Sequence, residues 1–470
     1  MGAIPARHGP AYSAAGGLPA TKQRRYATER QGDYMKHAWM GLFLMLAAPA
    51  AAAPADFAGR WEVAVREFGQ KNYYLPMQDG RLVVMVEGDH AMASFNRLMF
   101  HGTAGKDSIS LDCMDGASPC GKLTLKLNRA GLLGANLLGE GQLLGIPVTL
   151  TGKRPAAKPA GATVHDHDPK EFRPFFSPAL PPVLRIFPGD SVKTRTADSR
   201  GQDKDGQPKG PRGNPQTGPF YVEGAMPGDT LVVRLDRVRT NRATAYQSNT
   251  ISTNALLPSY LLGEPKRDPQ GSAVWNIDTS AGVASLAQPG DKLAGYKVRL
   301  QPMLGCIGVA PPRDETFGSG RLGPYGGNLD YREIREGVTV YLPVFQPGAL
   351  LYIGDGHAVQ GDGELPGQGL ETSLDVTFTV NVIEGKSLGQ AWVEDETHVM
   401  VMGAGSSMDD SLKQATTGMA RWLADHYSLN QAEIAAVMGT AMQYQIAEVV
   451  DSEYNIVAKI RKDALSQIRR

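Results

Sequence analysis

Pro227-Gly-Asp-Thr-Leu-Val-Val-Arg-Leu235 is a tight turn followed at once by an apolar run. The arrangement recurs. Pro188-Gly-Asp190 precedes Ser-Val-Lys-Thr-Arg-Thr, Pro289-Gly-Asp291 leads to a segment ending Tyr296-Lys-Val-Arg-Leu300, and Pro347-Gly348 precedes Ala-Leu-Leu-Tyr-Ile. Proline presets φ at the first turn position and glycine supplies the positive φ of a type II turn. Each motif therefore reads as a turn that feeds a strand, and four of them predict a β-sandwich or barrel-like body. Further on the period changes. Leu412, Ala415, Met419, Trp422 and Leu423 recur at close to helical spacing after Ser407-Met-Asp-Asp, where Asp409 or Asp410 is expected to cap the helix. Ser428-Leu-Asn-Gln-Ala-Glu433 opens a second helix with Ile434, Val437 and Met438 apolar. The expected class is α+β, mostly β, with the helices packed late against the sheet.

Before this body, residues 54–153 read as a small all-β domain. Arg81-Leu-Val-Val-Met-Val-Glu87, Lys122-Leu-Thr-Leu-Lys-Leu127 and Ile146-Pro-Val-Thr-Leu-Thr151 are short strands between Gly-rich turns, the pattern of a small antiparallel sheet or barrel. Residues 154–162, rich in Pro, Ala and Lys, read as a linker to a second domain at 163–470. Residues 35–53 read as a signal peptide: Met35-Lys36-His37, an apolar run from Ala38 to Ala48, Pro49, then Ala50 to Ala53. The run is shorter than the ~20 residues that a spanning helix needs, so cleavage near Ala51 or Ala53 is expected rather than a signal anchor. Translation is expected to begin at Met35, with residues 1–34 untranslated or disordered. The mature protein would be periplasmic or secreted. In such a compartment Cys113 and Cys120, flanking a turn, are expected to form a disulfide, which leaves Cys306 unpartnered.

The 470 residues carry 48 Lys and Arg against 48 Asp and Glu, so no global charge argues for nucleic acid or an anionic membrane. With 42% hydrophobic and 20% charged residues the chain is globular.

Chemistry concentrates in Gly354-Asp-Gly-His-Ala-Val-Gln-Gly-Asp-Gly-Glu364, read as a loop after the apolar strand Ala349-Leu-Leu-Tyr-Ile353. Asp355, His357, Asp362 and Glu364 fall within it, and its glycines let the backbone bend so that they converge. One imidazole with several carboxylates suits zinc, manganese or iron, and calcium if oxygen ligands dominate. The plainer reading is a polar turn at a strand end. Asp198, Glu223, Glu371, Asn328 and Asp330 each follow a strand or turn, where solvated residues are common. His165 and His167 open the second domain and are either ligands or a hydrophilic linker end.

Thr217-Gly-Pro-Phe-Tyr-Val-Glu-Gly-Ala-Met-Pro-Gly-Asp229, Gly305-Cys-Ile-Gly-Val-Ala-Pro311, Gly326-Gly-Asn-Leu-Asp330, Leu342-Pro-Val-Phe345 and the Gly354–Glu364 segment, in this order, resemble the acetamidase/formamidase family. The resemblance runs over residues 163–467. It implies a β-rich fold, a bound divalent metal and hydrolysis of small linear amides to a carboxylate and ammonia. Zinc is the first expectation for the metal, with calcium or manganese as alternatives. Its ligands would come from His357, Asp355, Asp198, Asp362 and His165. Glu364, Glu371 and Glu223 become the candidate catalytic carboxylates, Asn328 and Asp330 the substrate-binding ones. The family has a His shortly before the Pro-Pro that here is Pro181-Pro182; this chain has His165 and His167 further upstream. A homodimer is the default assembly.

Other readings are weaker. Ser406-Ser407 with Lys413 lacks the Gly-rich nucleophile segment of Ser-Ser-Lys amidases and opens a helix. Cys306 sits in an apolar stretch with no base beside it in sequence, the setting of an inert thiol. A periplasmic binding or structural protein, with the metal only tying the fold, is the alternative from another class.

Overall fold

A computed structural model describes residues 54–67, 79–96, 98–115, 118–128, 136–263 and 271–469. The signal-like segment 35–53 and residues 1–34 lie outside them. These described residues form one compact unit.

Eight antiparallel strands, from Gly59–Glu67 to Ile146–Lys153, pair in sequence order, and the last pairs with the first to close a barrel. Along Asp79–Glu87 buried and more exposed residues alternate, because the pleat points every second side chain inward. The inward set, including Phe57, Trp61, Leu82, Phe95, Phe100, Ile109 and Leu111, fills the barrel as its core. Cys113 and Cys120, on adjacent strands of one hairpin, are joined by a disulfide inside it. The barrel is anchored to the body by Arg81, whose guanidinium donates to both Asp229 oxygens at 3.2 and 3.0 Å and to the Gly224 carbonyl at 2.8 Å.

The body is a sandwich. A nine-stranded sheet and a six-stranded sheet share one apolar core. Leu231, Val233, Leu235, Val376, Phe378 and Val380 enter it from the first sheet; Phe220, Val222, Leu304, Ile307, Leu351 and Ile353 enter it from the second. Leu374–Ile383 alternates along most of its length, as a half-buried strand must, and pairs with Thr230–Thr240. Leu351–His357 is buried at every position because it lies inside the six-stranded sheet, between Gln216–Val222 and Met303–Gly308. The strand expected to end at Ile353 thus continues through Gly354-Asp-Gly-His357, which corrects the loop reading of those four residues.

The Pro-Gly turns behave as expected at three of four places: Gly189, Gly228 and Gly348 have φ of 96°, 92° and 77°. Gly290 has φ −69° and instead precedes a short 3-10 helix. In two of the turns the aspartate closes the loop on itself, since Asp190 and Asp229 each accept the backbone N–H three residues back, from Phe187 and Met226.

Helix α1 (Met408–Tyr427) packs Ala415, Met419, Trp422 and Leu423 against the nine-stranded sheet. Its cap is Ser407, which accepts from the Asp410 N–H; Asp409 and Asp410 lie in the first turn, where their charge suits the helix dipole. Leu412, expected on the packed face, is 37% exposed. Helix α2 (Gln431–Ala441) starts from Asn430 with a capping box to Glu433, and Ser428 is the left-handed cap that ends α1.

Candidate active site

Residues two apart on a strand share a face, so Leu351–His357 presents Asp355 and His357 together. Both are buried, as are Asp330, Glu364 and Glu371. Two groups of potential ligands overlap on one imidazole: Asp330, Asp355 and His357, and His357, Glu364 and Glu371. His357 Nε2 lies 3.0 Å from Glu371 Oε1 and 3.6 Å from Asp355 Oδ1, while Nδ1 lies 2.9 Å from Gln360 Oε1 and 4.0 Å from Asp330 Oδ1. The Gln360 oxygen only accepts, so Nδ1 carries a proton and Nε2 is the nitrogen turned to the carboxylates.

The backbone is bent to make this possible. Asp330, Asp355 and Glu364 have φ of 40°, 55° and 47°, a region that costs a non-glycine residue energy and that concentrates at functional sites. Across the strand pair, Gly305 leaves the space that the acids fill: a Cβ there would lie 2.6 Å from both Asp330 Oδ1 and Asp355 Oδ2.

Amide side chains frame the acids. Asn214 Nδ2 donates to Asp355 Oδ2 at 3.0 Å and to Asn328 Oδ1 at 2.9 Å. Asn328 Nδ2 donates to Asp451 Oδ2 at 2.9 Å and to Asp330. Gln360 Nε2 donates to the Asp330 carbonyl at 2.5 Å. Ser199 N–H donates to Glu371 Oε2 at 3.2 Å. A cavity of about 370 Å³ opens onto the cluster, lined by Asn328, Asp330, Asp355, Glu364, Glu371 and Asp451 among others.

The electrostatics separate the acids by role. Burial works against the charge on His357, but Glu371 and Asp355 outweigh it and raise its pKa well above the ordinary value. Burial likewise opposes ionisation of Glu371, yet His357 and the Ser199 N–H hold its carboxyl below the usual range. Burial and Glu371 push Asp355 up to about 6. Glu364 is pushed well up, by burial first and then by Glu371 against the pull of His357.

Asp330 Oδ1, Asp355 Oδ1 and His357 Nε2 are buried without a hydrogen-bond partner, and the imidazole meets Glu371, Asp355 and Asp330 only in ion-pair contacts. Two carboxylate oxygens and an imidazole nitrogen that lack other partners fit a divalent cation.

Five expected residues do not join the cluster. Asp198 is close and buried, but its oxygens are taken by Arg242 at 2.6 Å and by the N–H groups of Arg200 and Gln202. Asp362 points away, accepts from Gln445 at 2.8 Å and is half exposed. His165 pairs with Asp190 at 2.9 Å on the edge strand Val164–Asp166, and His167 packs edge-on against Phe220. Glu223 pairs with Arg185 at 2.6 Å, beyond the sheet end near the barrel. Gln360, Asn214 and Asp451 were not singled out from the sequence. Gln360 lay inside the Gly-rich segment, and Asn214 stands just before the Thr217 motif. Asp451 meets Asn328 from 123 residues away, a contact with no local signal. Cys306 is buried beside the cluster, its thiol donating to Asn328 Oδ1 at 2.7 Å; burial and then Asp355 push its pKa well up, which suits an inert thiol.

Fold and site together define a β-sandwich protein with a buried imidazole–carboxylate centre at the heart of one sheet. The profile of the acetamidase/formamidase family matches residues 319–460. A predicted acetamidase/formamidase of Thermoanaerobacter tengcongensis superposes with a TM-score of 0.56 at 28% identity, over 66% of this chain and 99% of that one. An acetamidase of Bacillus halodurans gives 0.56 at 29%, over 65% and 100%. A Schizosaccharomyces pombe protein named as a formamidase is 42% identical over 60 residues, a stretch that spans 13% of this chain and only 15% of that protein. Over residues 319–460 the chain is thus similar to the acetamidase/formamidase family, and over about two thirds of its length it shares its fold with these solved proteins.

Proposed function

We propose that this protein hydrolyses the carbon–nitrogen bond of small linear amides, consuming one water and releasing ammonia and a carboxylate. The observation that carries the reading is one cavity lined by Asp330, Asp355, Glu364 and Glu371, with His357 buried behind them against Asp355 and Glu371. An amide is a poor electrophile with a poor leaving group, so both carbonyl polarisation and proton transfer are needed. His357, Asp355 and Asp330 are the residues that would hold a divalent cation, zinc in the first instance, with Glu371 beside them. Such a cation supplies a Lewis acid for the carbonyl oxygen and lowers the pKa of water.

Glu364 is the general base of this reading. Its carboxyl lines the cavity beside His357 and Glu371, where in its ionised form it can take a proton from water and return it to the departing nitrogen. Glu371, held ionised, orients His357. Asn328 and Asn214 present amide groups to the same cavity and would fix the substrate amide.

Ammonia release from formamide and acetamide, assayed before and after chelation and after restoring zinc, tests the reading. No release from either amide by zinc-loaded protein would overturn it. We also propose that the mature protein is exported, a reading supported by the disulfide in the barrel, and that it forms a homodimer, supported by exposed Leu257 and Leu262. N-terminal sequencing from native envelopes and light scattering test these two readings.

A further inference from the structure

Two arginines that the hydrolysis does not use line the cavity. The Arg200 guanidinium stacks on the Tyr246 ring, 3.6 Å from the centroid, and donates to Ser272 Oγ at 2.6 Å. It follows Ser199, whose N–H touches Glu371. Arg212 is exposed on the loop before Asn214, whose amide touches Asp355. Successive Cα atoms are about 3.8 Å apart, so both guanidinium groups start within a side chain's length of the acid cluster. Asp330, Asp355, Glu364, Glu371 and Asp451 line the same cavity, yet among the described residues neither arginine forms an ion pair.

Size points the same way. The cavity of about 370 Å³ would hold roughly twelve waters at about 30 Å³ each. Acetamide would leave most of it unfilled, and an uncharged amide gains little from two guanidinium groups. A carboxylate gains a great deal, because the planar fork of arginine donates two parallel hydrogen bonds to it. Without these cations, the acids of the cavity would repel an anionic substrate.

Resting on the amidase reading above, we infer that the physiological substrate is an amide that also bears a carboxylate, two or three carbons from the amide carbon, and that Arg200 and Arg212 bind that carboxylate. These arginines are specificity-determining residues and take no part in the chemical step.

The test compares succinamate with butanamide, amides of equal length that differ in the terminal charge, using zinc-loaded full-length protein. The expected kcat/KM ratio favours succinamate by about tenfold or more, the scale of one or two charge-assisted contacts. R200Q and R212Q should each lower that ratio several-fold, chiefly through KM for succinamate. Calorimetry with succinate and butanoate supplies a readout independent of turnover, with succinate binding more tightly and its advantage lost in the double variant. Turnover of both amides with no preference, or a preference that survives both substitutions, overturns the inference while leaving the amidase reading intact. Arginine-dependent succinate binding without turnover of either amide overturns the amidase reading and leaves the anion site standing.

Discussion

His357 meets Asp330, Asp355, Glu371 and Gln360, and its substitution is the sharpest probe of the cluster. His357→Ala should lose bound metal and amide hydrolysis together, read by elemental analysis beside ammonia release; full activity after chelation would refute the centre. Glu364→Gln should retain the metal and lower kcat by roughly 10²–10⁴-fold, the usual contribution of a general base. If Glu364→Gln is as active as the parent, the base lies elsewhere. Gly305→Ala is a test by packing alone. Its Cβ would press on two carboxylate oxygens at 2.6 Å, so metal content should fall although no ligand has changed. Cys306→Ala should keep activity, since the buried thiol is far from ionised at neutral pH.

At the scale of elements, two of the Pro-Gly-Asp turns do work beyond turning the chain. Asp190 and Asp229 close their own loops and then each take one further partner, the imidazole of His165 from the edge strand and the guanidinium of Arg81 from the barrel. Arg81→Ala leaves Asp229, 2% exposed, without its partner. Breaking a buried pair on one side costs about 3–5 kcal/mol, and the cost should appear as earlier melting with the activity per folded molecule unchanged. An unaltered melting temperature would mean that Arg81 does not anchor the barrel. The anchoring also shows why His165 makes a poor ligand candidate: its imidazole is already committed.

At the scale of the whole molecule, the buried carboxylates make stability depend on pH. Glu448 is fully buried; burial, and then Asp451, push its pKa up to about 8. The folded protein therefore keeps this proton up to about pH 8, whereas the unfolded chain releases it near the ordinary carboxylate value. Folded molecules bind more protons across that interval, so the contribution of Glu448 to stability is present at low pH and is lost as pH rises through about 8. Glu448→Gln keeps an oxygen for the Val450 and Asp451 N–H groups and should flatten the fall in denaturation midpoint between about pH 4.5 and 8. A variant with the same slope as the parent would show that another group sets it.

The mostly β character, the barrel strands, the late helices and the Gly354–Glu364 segment were legible in the sequence, because turn chemistry and the periods of two and about 3.6 are local properties. So was the grouping of Asp355, His357 and Glu364, which lie within ten positions of one another. The partners were not. Asp330, Glu371, Asn214 and Asp451 arrive from separate strands and loops, and which carboxylates converge depends on strand order and register, which act between distant segments. The same reason explains the residues that failed to converge. Asp198, Asp362, His165 and Glu223 have the right side chains for a metal or a proton, but tertiary structure gave each of them an arginine, glutamine or aspartate partner first. Sequence determined which local structures and donor types this protein has; packing of two sheets against one core decided which donors meet, since a buried charge must be paired wherever the fold happens to set it down.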